Sequence, residues 1–320
     1  MAKTVLFSSD RPLERAENLK ACWDAYEGDK EFIQYIPKAC KALSPKYSVF
    51  VCDCTPQYSE TKGDIKTIFV GHGVLCDKLY GLDFSESHRR GVEQVDYAIT
   101  PDGLPRDHTA TALGMTLDRV LPYGFPMADR YHGKHKGDGG TELTAYKRVY
   151  LYVPTWRPPG TPPLPRIDWT KLDLLMDYDE LLVVKRHMCT AEPLVGKNLQ
   201  HVKEYDRSLP SVPYLIDCDV LVTDFSSILI DGYILGKPSV LVVDGADGFN
   251  EAHGLYEKYP DFYGSRAVSA EDNEEALLEA MRAAYTAGMG EVEQQCLMST
   301  AGDCDGQSAK RVAELIGGLA

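Results

Sequence analysis

No apolar run in the 320-residue chain approaches the ~18 residues that a membrane span needs, so no transmembrane helix is expected. The opening residues, MAKTVLFSSD, lack the apolar core of a secretory leader and enter a strand pattern almost at once. Basic residues are in deficit: 34 Lys and Arg stand against 48 Asp and Glu, a formal net charge of -14. Non-specific nucleic-acid binding needs a cationic surface, so no nucleic-acid partner is expected, and unaided adhesion to an anionic membrane is disfavoured. The nine cysteines are scattered and odd in number, and none forms a paired C-x-x-C zinc spacing. Cys52 and Cys54 are too close for an ordinary structural bridge. Reduced thiols and a cytoplasmic location are expected. With 44% hydrophobic and 26% charged residues, disordered, collagenous and low-complexity classes are excluded.

Several nucleotide signatures are also missing. There is no G-x-x-x-x-G-K-[ST] loop and no strict G-x-G-x-x-G after the first strand pattern, so kinase and dehydrogenase readings lose their main support. No clustered D-x-D or His/Asp set demands a metal. No cofactor is required by the residues, and a divalent ion is permitted but not implied.

What the chain does have is an alternating rhythm. Strand patterns at 3–8, 47–53, 67–73, 95–101 and 119–125 are interleaved with helical ones at 13–27, 30–43 and 106–115. A Gly-, Lys- and His-rich stretch follows. The rhythm then restarts, with strands at 148–154, 180–186, 219–224 and 238–245 and helices at 227–236, 271–287 and 307–318. The fold class this implies is α/β: two doubly wound, Rossmann-like domains facing a central cleft. The expected boundaries are 1–135 for an N-terminal domain, 136–147 for a linker and 148–320 for a C-terminal domain, whose last helix is free to pack back on the first. In such sheets ligands bind beyond the carboxyl ends of the strands, so the residues just after each strand are the candidates.

After the strand at 67–70 comes Gly71-His72-Gly73. The glycines allow a tight turn, and imidazole is the side chain best suited to proton transfer near neutrality. A glycine turn with an incidental surface histidine fits the triplet equally well. After the next domain's first strand comes Thr155-Trp156-Arg157. The planar fork of Arg157 suits phosphate oxygens, although a salt bridge to one of the many carboxylates is the commoner fate of such a residue. Lys185-Arg186-His187 concentrates three cationic or titratable groups at one strand end, and there anion binding is favoured over a solvated run. Asp224-Phe225-Ser226-Ser227 leads straight into a helix. The serines occupy N-cap positions, the helix start is suited to phosphate, and Asp231, one turn in, is suited to a polyol or ribose hydroxyl. Capping without a ligand is the ordinary reading of such serines. Together the strand-end residues describe a site for a phosphorylated ligand, in particular a diphosphate.

The segments GHGVLCDKLYGLD (71–83), LPYGFPMADRY (121–131), YVPTWR (152–157), LLVVKRH (181–187), DVLVTDFSSILIDGYILGKPSVL (219–241) and GDCDGQSAKRVAELI (302–316) occur in this order. In motif order and spacing the chain resembles the CDP-glycerol glycerophosphotransferase family, the primases and polymerases of teichoic-acid type, over roughly residues 67–320. The resemblance implies a GT-B-like fold and a transferase that takes glycerol phosphate from CDP-glycerol. The implied acceptor is a hydroxyl on a polyprenyl-linked saccharide or a growing polyol-phosphate polymer. A peripheral contact with the inner face of the membrane goes with such an acceptor. In the family pattern His72 matches the histidine of W-H-G and His187 that of R-x-H-P. Ser226, Ser227 and Asp231 match S-S-x-x-x-D, and Thr155, Trp156 and Arg157 match P-T-W-R. The implied catalytic residues are therefore His72 and His187, with the order of their roles open. Gly73, Thr155, Trp156, Arg157, Lys185, Arg186, Ser226, Ser227 and Asp231 are implied for donor and phosphate binding.

Three positions depart from the pattern. Gly71 stands for Trp, Met188 for Pro, and Met127 for a basic residue, which removes a phosphate or acceptor contact. Other readings stay open at this point: a CDP-ribitol transferase, a nucleotide-sugar enzyme of the same fold, and a non-catalytic binding subunit. The lysines and arginine at 15–47 read as solvated helix faces rather than as a lipid-binding patch.

Overall fold

The computed structural model describes residues 4–34, 46–53, 64–71, 91–155, 166–187, 190, 193–244, 259–269 and 273–320. The chain divides into two compact units, Met1–His132 with Ser299–Ala320, and Gly133–Met298.

In the first unit β1 (Thr4–Ser9), β2 (Lys30–Gln34), β3 (Tyr47–Cys52), β4 (Lys66–Phe69), β5 (Tyr97–Thr100) and β6 (Val120–Pro122) form one sheet in the order β2-β1-β3-β4-β5-β6. All its pairings are parallel. Side chains alternate faces along a strand, which sorts the core. Val5, Phe7, Val49, Val51 and Ile68 point to the layer that holds α1 (Glu17–Ala25) and the C-terminal helix at Ser308–Leu319. Leu6, Phe50, Cys52 and Phe69 point the other way, against α2 (Leu104–Leu113). The Ser308–Leu319 helix is fastened at its start by Asp129, whose carboxylate accepts the amides of Ser308 and Ala309 at 3.1 and 2.7 Å. A carboxylate at a helix N-terminus satisfies orphan amides and meets the positive end of the dipole.

Residues 30–34, expected as the start of a helix, are instead β2, paired with β1 from Val5↔Lys30 to Ser9↔Gln34. β2 is a sheet edge with no fully buried residue, so it shows no inside–outside alternation for a sequence pattern to reveal. Of the basic residues near it, Lys20 pairs with Asp24 and Lys46 with Glu31. Lys38 and Lys41 lie outside the described residues.

The second unit carries β7 (Arg148–Val153), β8 (Glu180–Val184), β9 (Val202–Glu204), β10 (Val220–Thr223), β11 (Ser239–Val242) and β12 (Ala267–Val268), also parallel, in the order β12-β11-β10-β7-β8-β9. Its helices are α3 (Trp169–Leu175), α4 (Val212–Asp217), α5 (Ile228–Ile234), α6 (Glu274–Ala287) and, as far as Met298, α7 (Glu291–Ala301), so the C-terminal helix is α8. Tyr150, Tyr152, Leu182, Val184, Val220, Val222, Val240 and Val242 pack with Leu172 of α3 and with Leu277, Leu278 and Met281 of α6. On the opposite face α5 lies close to the sheet at Gly232, where a Cβ would stand 2.8 Å from the Leu221 side chain.

The expected linker is pinned to this second unit. The buried Asp217 carboxylate, at the end of α4, accepts the amides of Gly137, Gly139 and Thr141 and the Thr141 hydroxyl at 2.6–3.0 Å. Lys136 reaches Asp219 at 2.6 Å. Among the described residues no helix is long and apolar enough to cross a membrane.

Candidate functional site

Parallel strands all deliver their carboxyl ends to one edge of a sheet, and a ligand crevice opens where the winding direction reverses. In the second unit that reversal lies between β7 and β10, since the chain runs from β7 outward through β8 and β9, then from β10 outward through β11 and β12. The two strand ends are stitched together there. The Thr155 amide donates to the Asp224 carboxylate at 2.8 Å, and the Thr223 hydroxyl donates to the Val153 carbonyl at 2.6 Å. Asp224 is fully buried. Every described candidate of the second unit follows one of three adjacent strands: Thr155 follows β7, Lys185-Arg186-His187 follows β8, and Ser226, Ser227 and, within α5, Asp231 follow β10.

The three residues after β8 do not share one role. Lys185 is only 2% exposed, and its ammonium donates to the Asp206 carbonyl at 2.7 Å. Arg186 forms an ion pair with Glu204 at 2.6 Å and donates to the Thr190 carbonyl at 3.2 Å. Glu204 in turn accepts the amides of Leu194 and Val195. His187 is the exposed member of the three. Lys185 and Arg186 are therefore held by β9 and by the chain that leaves it. Their field reaches Asp206, whose carboxyl lies below its ordinary range, first because of the Ser208 amide and hydroxyl and then because of these two cations. Arg186 also lines a surface groove of about 570 Å³ with Lys197, Lys203, Glu204 and Tyr205, a volume within the span of small-molecule sites.

The turn after β10 differs from a simple capped helix. Ser227 has helical φ and ψ of −60° and −16° and makes no side-chain cap bond. The Ser226 hydroxyl is 3.5 Å from the Ile228 amide, the outer limit of a hydrogen bond. The amides of Leu229 and Ile230, expected to be free at the helix start, donate to the Ser226 and Ser227 carbonyls at 3.1 Å. Any anion held here therefore meets the serine hydroxyls rather than those two amides. Asp231, expected to take a ligand hydroxyl, is 7% exposed.

In the first unit the winding reverses between β1 and β3. Their ends are joined through the Ser9 hydroxyl, which donates to the buried Asp53 carboxylate at 3.0 Å. His72 and Gly73 follow β4 but lie outside the described residues, as do Trp156, Arg157 and Met188. Two of the departures from the family pattern have structural reasons. Gly71 has φ +61°, a left-handed conformation that a bulky side chain such as Trp rarely adopts. Met127 is 4% exposed, a place where an apolar side chain avoids the desolvation that a basic one would suffer.

Sequence reasoning gave no role to Asp224, Glu204 or Asn18. The first two are acidic residues in an acidic chain, and only their long-range partners set them apart. Among the described residues no group of three His, Cys, Asp or Glu side chains is placed to hold a metal.

Comparison with known proteins bears on the whole chain. The family described as CDP-Glycerol:Poly(glycerophosphate) glycerophosphotransferase matches residues 8–318. A teichoic acid glycerol-phosphate transferase of Staphylococcus aureus is 23% identical over 234 residues, 67% of this chain and 58% of that protein. The ribitol-phosphate polymerase TarK of the same organism is 23% identical over 329 residues, 88% of this chain and 62% of that protein. The chain thus spans about 60% of the length of each of these relatives. A variant of the wall teichoic acid polymerase TagF soaked with CDPG shares the fold, with a TM-score of 0.72 and 18% identity over 99% of this chain and 88% of that one.

Proposed function

The chain belongs to the CDP-glycerol:poly(glycerophosphate) glycerophosphotransferase family, and on that premise we propose that it transfers glycerol phosphate from CDP-glycerol to an acceptor hydroxyl. The acceptor oxygen attacks the phosphorus that carries glycerol. The bond from that phosphorus to the bridging oxygen breaks, and CMP leaves. The leaving group is a phosphate monoester, stable as an anion, so positioning and charge neutralisation do most of the work. His72 is the base that takes the hydroxyl proton. His187, Arg157 and the Ser226 and Ser227 hydroxyls hold the diphosphate, Lys185 and Arg186 add charge at longer range, and Thr155, Trp156, Gly73 and Asp231 complete the donor site. The acceptor is a lipid-linked saccharide or a polyol-phosphate chain, reached at the inner face of the membrane.

One observation carries the reading. The three adjacent strand ends flanking the reversal point of the second sheet bear the described members of the family's donor motifs, and the Thr155–Asp224 bond locks two of those ends together. The test is CMP release from CDP-glycerol, CDP-ribitol and a UDP-sugar, each with a polyol-phosphate acceptor, with and without EDTA. CDP-glycerol is expected to give CMP. In parallel, a ligand at 100 times its dissociation constant adds ~2.7 kcal/mol to the folded form, visible as thermal protection. Release from CDP-ribitol alone reassigns the polyol. Absence of both CMP release and thermal protection with either CDP-polyol overturns the proposal.

A further inference from the structure

Asn18 sits in the first turn of α1 and is 1% exposed. An amide buried this deeply needs every donor and acceptor met. Its Nδ2 donates to the Val70 carbonyl at 3.1 Å and to the Gly71 carbonyl at 3.2 Å. Its Oδ1 accepts the Met127 amide at 2.8 Å. Two acceptors facing one side and a donor facing the other fix the orientation of the amide. No carboxylate, hydroxyl or apolar side chain of similar size supplies the same three bonds.

The residues joined are distant in sequence: the exit of β4 lies 52 positions away and the turn after β6 lies 109. Both reach segments that carried the family resemblance, the one that opens at Gly71 before His72 and the one over 121–131 that holds Met127. The bond to Gly71 has a particular consequence. The Gly71 carbonyl belongs to the planar peptide that joins Gly71 to residue 72, so the Asn18 bond holds the chain at the position immediately before His72. Gly71 has φ +61°, a conformation glycine adopts freely, and the Asn18 bond holds its carbonyl in one orientation. Asn is also a poor choice for a helix by propensity. A local preference overridden in favour of a buried three-way polar contact is what sites, more than cores, tend to show.

We propose that Asn18 is a positioning residue for the transfer reaction: it holds the Val70 and Gly71 carbonyls, the last before His72 in the chain, and ties the turn at Met127 to the same point. The inference rests on the reading of His72 as the base. It is tested in the full chain with Asn18→Ala, made alone and together with His72→Ala. Asn18→Ser, which keeps one donor for the same carbonyls, is the variant to use if the alanine form does not fold. Misplacing a reacting group by ~1 Å costs on the order of 10²-fold, so a fall in kcat of about tenfold or more is expected, with the dissociation constant for CDP-glycerol within about twofold. In the His72→Ala background the same change is expected to do nothing further, because residues acting through one another are not additive. A readout independent of turnover is the imidazole titration by NMR of histidine-labelled protein, with His72 assigned by the resonance lost in His72→Ala. Asn18→Ala is expected to move that resonance. Unchanged kcat in a folded Asn18 variant, an equal loss in both backgrounds, or a superimposable His72 titration each overturns the proposal. Full turnover in His72→Ala overturns the base assignment instead, a result distinguishable from loss in His72→Ala with none in Asn18→Ala.

Discussion

Replacing Ser226 and Ser227 together by alanine separates two jobs that serines at a helix start can do. A serine that caps a helix contributes about 1 kcal/mol of stability. Here Ser227 makes no cap bond and the Ser226 contact is 3.5 Å, so the double change is expected to cost ~0.5 kcal/mol or less. In units of this size that moves the unfolding midpoint by ~2 °C or less. Hydrogen bonds to an anionic phosphate are worth ~1.5–3 kcal/mol each, and 1.4 kcal/mol is tenfold in affinity. The double variant is therefore expected to bind CDP-glycerol about tenfold or more weakly by titration calorimetry, while its melting curve nearly overlays that of the parent. The opposite pattern refutes the reasoning: an unchanged dissociation constant with a midpoint lowered by ~4 °C or more would show that the hydroxyls serve the helix and not a ligand.

His72→Ala is expected to lower turnover by ~10²–10⁴-fold and to leave calorimetric donor affinity within about twofold; near-full turnover at subsaturating acceptor would remove His72 from the reaction. Glu180 is fully buried and is held by Arg282 at 2.7 and 2.9 Å, by the Tyr150 hydroxyl at 2.8 Å and by the Asp177 amide at 2.8 Å. Burial pushes its carboxyl up, and these partners together bring it below the ordinary range. Glu180→Gln is expected to cost ~2–3 kcal/mol in denaturant unfolding, less than a fully enclosed pair because Arg282 is partly exposed, and to spare donor binding, since Glu180 opens β8 at the end of the sheet away from the site. For Asp217, burial raises the carboxyl and the Thr141, Gly137 and Gly139 donors outweigh it, leaving the folded value depressed. Its stabilisation is thus present above the unfolded value of ~3.9 and is lost as pH falls through the lower folded value. The midpoint difference between the parent and Asp217→Asn is expected to be large at pH ~7 and to shrink as pH drops below ~4; a difference constant with pH would contradict this.

What the sequence made legible was decided by burial and by reach. β7, β8, β10 and β11 were legible because they are buried on both faces and read as unbroken apolar runs. β2 was taken for helix because a half-exposed edge carries no alternation, and β9 and β12, at three and two residues, are too short to carry any pattern. The 136–147 stretch looked like a free connector because its glycines are local and its anchor, Asp217, is 76 to 80 residues away.

The same distinction governs the site. Strand ends mark where a ligand belongs, because parallel winding puts them on one edge whatever the side chains are. They do not say which charge is available. Lys185, Arg186 and His187 are consecutive and chemically similar in sequence, yet the first is committed to the Asp206 carbonyl and the second to Glu204. That commitment depends on the path of the chain through and beyond β9, which no motif encodes. Asn18 shows the converse. It belongs to none of the motif segments, yet three hydrogen bonds place it between two of them. A motif therefore names the groups that meet the ligand, and long-range hydrogen bonding names those that hold them. Substitutions in the second class should alter turnover without altering donor affinity, the split expected for Asn18 and not for Ser226 or Ser227.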